Sequence, residues 1–186
     1  ENVDIRWFEG AQLNITENCI DRHLEKLGDK TAILWEPNNP DEQAQHISYR
    51  ELHARVSKMA NVLKNNGIQK GDRVCIYLPM IPELSIAVLA CARIGAIHSV
   101  VFAGFSSAAL ASRINDASCK MLITSDGSYR GNKTIGLKVI ADEAVKQTSC
   151  IETVLVARRT HQKVAFDEHV DKWLEDEIKK AEDFCE

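Results

Sequence analysis

The sequence predicts an α/β fold in which an open, mainly parallel sheet is flanked by helices. Two observations support this class. Apolar runs of strand length alternate along the chain with longer segments whose apolar residues recur at helical spacing. In addition, residues 73–106 contain a complete strand–helix–strand unit, with strands at Arg73–Leu78 and His98–Ala103 around a helix at Glu83–Ile94. Strands that alternate with helices favour a parallel sheet with right-handed crossovers.

This strand–helix–strand unit also predicts where a ligand would bind. Its helix begins near Pro82, stops at Gly95 and is apolar on nearly every side, so we expect it to be covered on most sides. The second strand is apolar at almost every position, which is typical of a strand buried on both faces, and we interpret His98 at its start as a structural histidine. The turn Gly104–Phe105–Ser106 leaves the carboxyl end of that strand. Because ligands bind beyond the carboxyl ends of strands in open α/β sheets, we expect this turn to contact a ligand.

The segments that precede this unit are also predicted as helices and strands. A capping box at Ser48–Glu51 predicts the start of the clearest amphipathic helix. In chain order, the predicted elements are an extended entry at Ile5–Leu13, a helix that is capped by Thr16 and ends at Gly28, a strand at Thr31–Glu36, a polar hairpin tip at Pro37–Gln45, a short strand at His46–Ser48, and the amphipathic helix, which closes at Gly67.

The segments that follow the unit complete the prediction. They are a helix at Ser106–Ala117, a strand at Lys120–Ser125, a loop at Asp126–Lys133, a helix at Leu137–Gln147, a strand at Thr153–Ala157 and a long charged helix at Asp167–Cys185. We find no repeat and no obvious interdomain linker. We expect residues 1–48 to form an amino-terminal extension with a hairpin, and residues 49–186 to form an α/β subdomain.

Composition excludes several classes of protein. The chain has 186 residues, of which 45% are hydrophobic and 27% charged, and a net charge of −4 argues against a general nucleic-acid surface. No apolar run reaches membrane-spanning length, and the first ten residues lack signal-peptide character. The six cysteines show no spacing typical of disulfide frameworks or zinc sites, which favours free thiols in the cytoplasm. We therefore expect no nucleic-acid or membrane partner.

The most informative local pattern is the glycine-bearing segment Ser125–Thr134, directly after a predicted strand. It does not match a phosphate-binding P-loop, because Asn132 precedes Lys133 and the glycine spacing is one residue short. What remains is a loop carrying two cations, Arg130 and Lys133, that could meet an anionic group. A solvated surface turn is the alternative interpretation. Elsewhere no serine lies in a G-x-S-x-G motif and no histidine pair has metal-ligand spacing, so we predict neither a catalytic residue nor a metal ligand.

Three stretches are more specific than the fold alone requires. They are WFEGAQLNITENCIDRHL at residues 7–24, ISYREL at residues 47–52, and YLPMIPE followed by AVLACARIGAIHSVVFAGFS within residues 77–114. Together they resemble the amino-terminal region of AMP-forming acetyl-CoA synthetases, which belong to the adenylate-forming enzymes. The resemblance covers nearly all of the chain.

The resemblance implies a function and a set of site residues. Enzymes of this family make acetyl-CoA from acetate, ATP and CoA through an acetyl-adenylate, with Mg²⁺ assistance. The family's Arg-Gly-Gly-Arg loop, which contacts the nucleotide end of CoA, matches Arg130, Gly131, Asn132 and Lys133. The family's glycine after a strand of the CoA site matches Gly104, beside Phe102.

The resemblance also implies what this chain lacks. The family's Ser/Thr/Gly-rich phosphate loop, the later motifs for adenine, ribose and acetate, and the domain with the catalytic lysine do not occur in it. We therefore expect an amino-terminal piece that is truncated before the phosphate loop, is inactive by itself, and has small-molecule substrates and the remainder of the same polypeptide as partners. Two alternatives are a stand-alone α/β module that binds CoA or a nucleotide without catalysis, and a purely structural interaction domain.

Overall fold

The computed structural model describes residues 3–186, so the first two residues of the predicted extension lie outside the described residues. Seven helices and nine strands are assigned in this range. The helices are α1 (Ile15–Cys19), α2 (Leu24–Leu27), α3 (Tyr49–Asn65), α4 (Pro82–Arg93), α5 (Ser107–Ala117), α6 (Leu137–Val145) and α7 (Leu174–Lys180). The strands are β1 (Thr31–Trp35), β2 (Gln45–Ser48), β3 (Arg73–Ile76), β4 (Ile97–Val100), β5 (Met121–Ser125), β6 (Ser128–Arg130), β7 (Lys133–Ile135), β8 (Thr153–Ala157) and β9 (Asp171–Trp173).

A five-stranded, wholly parallel sheet organises the chain, and it confirms the predicted fold class. The strand order is β4-β3-β5-β8-β9. Helices α3, α4 and α7 cover one face, and α5 and α6 cover the other. The central strands β5 and β8 are buried at every position, because both of their faces lie under helices. Two separate antiparallel pairs, β1–β2 and β6–β7, flank this layered core.

The predicted capping box is confirmed at the start of α3. The Glu51 amide donates to Ser48 Oγ at 3.2 Å, and the Ser48 amide donates to the Glu51 carboxylate at 2.8 Å. These hydrogen bonds satisfy two donors that the first helical turn leaves free. The apolar stripe of α3 then packs into the core, with Val56 and Leu63 fully buried.

The predicted single helix from Thr16 to Gly28 is wrong. The segment is divided into α1, a 3₁₀ turn at Asp21–His23 and α2. Asn14, not Thr16, caps α1, because the Asn14 side chain accepts hydrogen bonds from both the amide and the hydroxyl of Thr16. The Thr16 hydroxyl is buried and also contacts Arg93, so tertiary contacts decide how this segment folds.

The predicted burial of the strand at His98–Ala103 is also wrong. The strand itself exists as β4, but it forms one edge of the sheet. Ile97 is 54% exposed, Val100 is 45% exposed and His98 is exposed, so His98 is not the buried histidine that we expected. An apolar run predicts a strand without indicating its place in the sheet.

The predicted long helix at Asp167–Cys185 is wrong as well. Asp171–Trp173 forms β9, which pairs in parallel with β8, and only the seven residues of α7 are helical. Pairing with the edge of β8 overrides the helical periodicity of this segment, because a sheet edge offers backbone partners that an isolated helix lacks.

A buried ion cluster connects α6 to β9. The Lys138 ammonium lies 2.8 Å from the Asp171 carboxylate and also pairs with Asp142. The side chains of Lys138 and Asp171 are almost fully buried, whereas that of Asp142 is 29% exposed. Burial raises the pKa of Asp142, and the hydrogen bond from Lys138 works in the opposite direction. Asp171 also accepts the amide of Asp167, so one carboxylate fixes the start of β9.

A second buried cation, Arg93, connects the amino-terminal helices to the last residues of the chain. Its guanidinium donates to both carboxylate oxygens of Asp21, at 3.0 and 3.2 Å, and to the carbonyl of Cys185, at 2.6 Å. His53 faces the same carboxylate at 3.4 Å. Burial lowers the pKa of His53; Asp21 opposes this shift, and Arg93 adds to it.

No helix within residues 3–186 combines the length and the apolar character that crossing a bilayer requires.

Candidate functional site

The main cleft lies where the sheet changes its direction of growth. The connection from β3 to β4 runs through α4 on one face, and the connection from β4 to β5 runs through α5 on the other face. Strand β3 therefore lies between β4 on one side and β5 on the other, with connecting helices on opposite faces of the sheet. Open α/β sheets bind ligands at such a switch point in the topology. A cleft of about 490 Å³ opens at the carboxyl ends of these strands.

Segments that leave three neighbouring strands form the cleft walls. Met80 follows β3, Phe102 and Gly104 follow β4, and Tyr129 and Arg130 follow β5. Trp35, from the end of β1, and Arg159, from the end of β8, complete the lining. The lining thus combines aromatic rings with two guanidinium groups and the Glu36 carboxylate.

Tyr77 fixes the turn that carries Gly104. Its ring is fully buried, and its hydroxyl donates to the carbonyl of Phe105 at 2.8 Å. Burial also raises the pKa of Tyr77, so the phenol stays a donor. A Cβ atom on Gly104 would lie 2.5 Å from the Phe102 ring, so the absence of a side chain at Gly104 lets this exposed ring lie over the turn.

The predicted loop at Asp126–Lys133 is wrong as a description of local structure. The segment begins the short hairpin β6–β7, in which Arg130 pairs with Lys133 across a two-residue turn. Gly131 has φ +57°, a conformation that glycine adopts without strain. The backbone of Asn132 does not have a positive φ, so an asparagine side chain is accommodated at this position of the turn without left-handed strain.

The structure brings together some of the predicted site residues and separates others. Phe102, Gly104 and Arg130 line the main cleft. Gly131 and Asn132 line a neighbouring depression of about 670 Å³, which shares Tyr129 and Arg159 with the cleft. Lys133 is exposed and belongs to neither of these two linings.

The hairpin contributes one cation, Arg130, to the cleft. Within residues 3–186, no carboxylate lies within salt-bridge distance of Arg130. Helix α6 begins beside the cleft without a side-chain cap, and Ile135, just before its first turn, lines the cleft. Helix α4 also begins there, but Pro82 has no N–H group and the Leu84 amide donates to the Ile81 carbonyl. Uncapped helix amino termini present free N–H groups to an anion.

Trp35, Met80, Tyr129 and Arg159 are among the lining residues that were not predicted individually as site residues. One signal was available for Arg159, because it follows the predicted strand Thr153–Ala157 at its carboxyl end. Its backbone is held by the buried Asp126, which accepts the amide of Arg159 at 2.8 Å and that of Thr160 at 2.9 Å. The same signal was available for Met80 and Tyr129, which follow the predicted strands Arg73–Leu78 and Lys120–Ser125, whereas Trp35 comes from a hairpin outside the parallel sheet.

The side chains of the cleft are suited to binding an aromatic, anionic group. Aromatic rings stack on a purine, and guanidinium groups form charge-assisted hydrogen bonds with phosphates. No cluster of three or more histidine, cysteine or carboxylate side chains in the described part of the chain could hold a metal ion. The rings and guanidinium groups of the cleft fit an anionic group that carries an aromatic base.

Comparisons with known proteins identify the family of this chain. A sequence model of the family described as "AMP-binding enzyme" matches residues 20–185. The chain is 53% identical over 185 residues to an acetyl-coenzyme A synthetase of Methylocella silvestris, with 99% of this chain and 28% of the relative covered. It is 56% identical over 164 residues to that of Novosphingobium aromaticivorans, with 88% of this chain and 25% of the relative covered. A relative from Nostoc linckia, named likewise, is 53% identical over 174 residues, with 94% of this chain and 51% of the relative covered.

The chain thus spans between a quarter and a half of the length of these curated relatives. The family match nevertheless extends over nearly the whole α/β core, including every strand of the parallel sheet and the residues of the main cleft. The chain belongs to the AMP-binding enzyme family.

Proposed function

We propose that this chain is the amino-terminal part of an AMP-forming acetate–CoA ligase and contributes scaffold together with part of the CoA nucleotide site. The observation that carries this proposal is the cleft at the carboxyl ends of β3, β4 and β5, which gathers Phe102, Gly104 and Arg130. The relatives' name, acetyl-coenzyme A synthetase, supports the choice of reaction.

The proposed reaction has two steps with different physical needs. An oxygen of acetate attacks the α-phosphorus of ATP, and pyrophosphate leaves. The sulfur of CoA then attacks the acetyl carbonyl carbon, and AMP leaves. The first step needs neutralisation of phosphate charge, whereas the second needs a long thiol cofactor to be held in position.

The residues of this chain serve the second step. Arg130 would donate charge-assisted hydrogen bonds to phosphate oxygens at the nucleotide end of CoA. Phe102 would offer a ring face to the base, and Gly104 leaves the space for that ring. Lys133, at the other end of the turn, would act as a point charge, because an ammonium lacks the planar fork of a guanidinium. Gly131 and Asn132 would form the turn between these cations.

We assign ATP and Mg²⁺ to the part of the full-length polypeptide that this chain does not include, since the family's phosphate-loop motif does not occur in this sequence. We further propose that residues 1–48 form an amino-terminal extension and residues 49–186 an α/β subdomain. A cytoplasmic location is supported by six free cysteines.

The 186-residue chain should not form acetyl-adenylate by itself. Acetate-dependent exchange of labelled pyrophosphate into ATP should stay at the level of a no-enzyme control, because this chain contains no phosphate loop to neutralise ATP. The full-length polypeptide serves as the positive control. Exchange by the chain above background would contradict its proposed role as a partial site.

In the full-length polypeptide, Arg130→Ala should raise the Michaelis constant for CoA and leave the acetate–ATP exchange almost unchanged. The expected loss is about 1–3 kcal/mol, the range for a hydrogen bond to a charged group. Lys133→Ala should cost less, because a strongly hydrated ammonium makes no bidentate contact. Steady-state kinetics with CoA and ATP varied separately would measure both effects.

The matched control for these variants is Lys70→Ala. Lys70 is an exposed cation in the turn before β3, at the amino ends of the strands and away from the cleft. This variant should leave both half-reactions unchanged. If Arg130→Ala slows the exchange as much as thioester formation, the CoA assignment is wrong. Binding of CoA without any ligase activity of the full-length polypeptide would favour the alternative of a non-catalytic binding module.

A further inference from the structure

The turn of the β6–β7 hairpin depends on support from a distant part of the chain. Each strand of this hairpin has three residues, and the pair does not join the five-stranded sheet. An isolated two-stranded hairpin is marginally stable in water. The turn between Arg130 and Lys133 therefore needs contacts from outside the hairpin to hold one conformation.

The first such contact comes from the loop between β1 and β2, residues 36–44. Asn38 in this loop donates from Nδ2 to the carbonyl of Gly131 at 3.1 Å. The two residues lie 93 positions apart in the chain, so the bond ties the amino-terminal hairpin directly to the turn.

The second contact is a stack centred on Arg159. Its guanidinium carbon lies 5.1 Å from the ring centre of Trp35 and 5.0 Å from that of Tyr129, the middle residue of β6. Its two terminal nitrogens meet the two carboxylate oxygens of Glu42 at 3.1 and 3.3 Å. Cation–π contacts and a bidentate carboxylate pair both fix the orientation of a planar guanidinium.

Other hydrogen bonds make this stack stiff. Trp35 donates from its indole nitrogen to the carbonyl of Met80 at 2.8 Å, and the Asp126 carboxylate holds the backbone of Arg159. The side chain of Arg159 is only 17% exposed. Arg159 thus joins the ends of β1, β5 and β8 around the base of the hairpin.

We propose that Arg159 and Asn38 are positioning residues, which hold the Arg130–Lys133 turn in the geometry that receives the phosphates of a nucleotide ligand. This inference rests on the proposed function for the identity of the ligand, CoA. Glu42 already accepts hydrogen bonds from both terminal nitrogens of Arg159, and the rings of Trp35 and Tyr129 lie against its guanidinium. Arg159 therefore acts on the ligand through the hairpin and not by direct contact.

The test compares Asn38→Ala and Arg159→Lys with wild type in the full-length polypeptide. Arg159→Lys keeps the charge but loses the planar fork. Without ligand, hydrogen exchange of peptides covering residues 128–136, followed by mass spectrometry, should accelerate roughly two- to tenfold, as expected for the loss of a supporting hydrogen bond. The Michaelis constant for CoA should rise by a similar factor, with acetate–ATP exchange unchanged.

The neighbouring residue supplies a matched control. Arg158 also covers an aromatic ring, Trp173 at 4.2 Å, and also pairs with carboxylates, those of Glu175 and Asp176, but it does so away from the turn. Arg158→Lys should leave exchange at residues 128–136 and the Michaelis constant for CoA unchanged.

The outcomes separate the two proposals. Unchanged hydrogen exchange in both variants overturns the positioning role, whatever happens to CoA. A weaker CoA interaction in Arg159→Lys with unchanged exchange also overturns it, because Arg159 would then be a direct ligand. Faster hydrogen exchange in both variants supports the positioning role. If the wild-type polypeptide does not use CoA, the proposed function is rejected while the positioning role stands.

Discussion

Asp171→Ala should lower the free energy of unfolding by about 3–5 kcal/mol, the usual cost of removing one partner from a buried ion pair. Lys138 would keep Asp142, but it would lose the carboxylate that shares its almost fully buried environment. The amide of Asp167 would lose its acceptor as well. Urea unfolding followed by circular dichroism would measure the change.

Asp142→Ala is the matched control, because it removes the other carboxylate from the same ammonium. Asp142 is 29% exposed, so water replaces much of what is lost, and the cost should be about 1 kcal/mol or less. Equal losses in the two variants would contradict the importance of burial here. The double variant Lys138→Met/Asp171→Leu should recover most of the stability, since a buried pair can be replaced by apolar residues of similar volume.

Arg93→Met should lower the free energy of unfolding by about 3 kcal/mol, because several hydrogen bonds to a buried charged group are lost at once. The carbonyl of Cys185 would be left without its donor, and Asp21 without its guanidinium. Thermal or urea unfolding would detect the loss. Arg93→Lys should be intermediate, since an ammonium keeps the charge but cannot make this set of contacts.

The pKa of His53 gives this prediction a second readout. Arg93 contributes to the lowered pKa of His53, so Arg93→Met should raise that pKa, as measured by NMR titration of the imidazole. In the wild type, a pKa below the ordinary value of 6.5 means that the unfolded chain binds the proton more readily. Stability due to His53 is therefore present above pH 6.5 and is lost as the pH falls through the lower folded pKa. A lower His53 pKa in Arg93→Met would contradict the conclusion that the charge of Arg93 lowers this pKa.

Local sequence signals were sufficient where an element depends on its own residues. The capping box at Ser48, the apolar stripe of α3 and the buried runs of β5 and β8 were all predicted at nearly their observed bounds. Local sequence signals were not sufficient where contacts with a distant part of the chain decide the structure. Residues 171–173 have helical periodicity, yet they pair with β8. The apolar residues of β4 give no sign that it lies at an edge.

The candidate site shows the same division. The rule that ligands bind at the carboxyl ends of strands placed Gly104 and Arg130 near a ligand site, and both line the cleft. Trp35 and Asn38 could not be found in this way, because they come from a hairpin outside the parallel sheet and reach the site only through contacts with Met80 and Gly131.

The strand order β4-β3-β5-β8-β9 has a consequence for how the sheet is built during synthesis. The first strand of this sheet to leave the ribosome, β3, pairs with β4 on one side and then with β5 on the other. Strand β8 then joins the free side of β5, and β9 that of β8. Each new strand can therefore be added at an open margin, and none has to be inserted between two strands that are already paired. Because chains begin to fold from the amino terminus as they are made, the nascent sheet can grow outward continuously without undoing an earlier pairing.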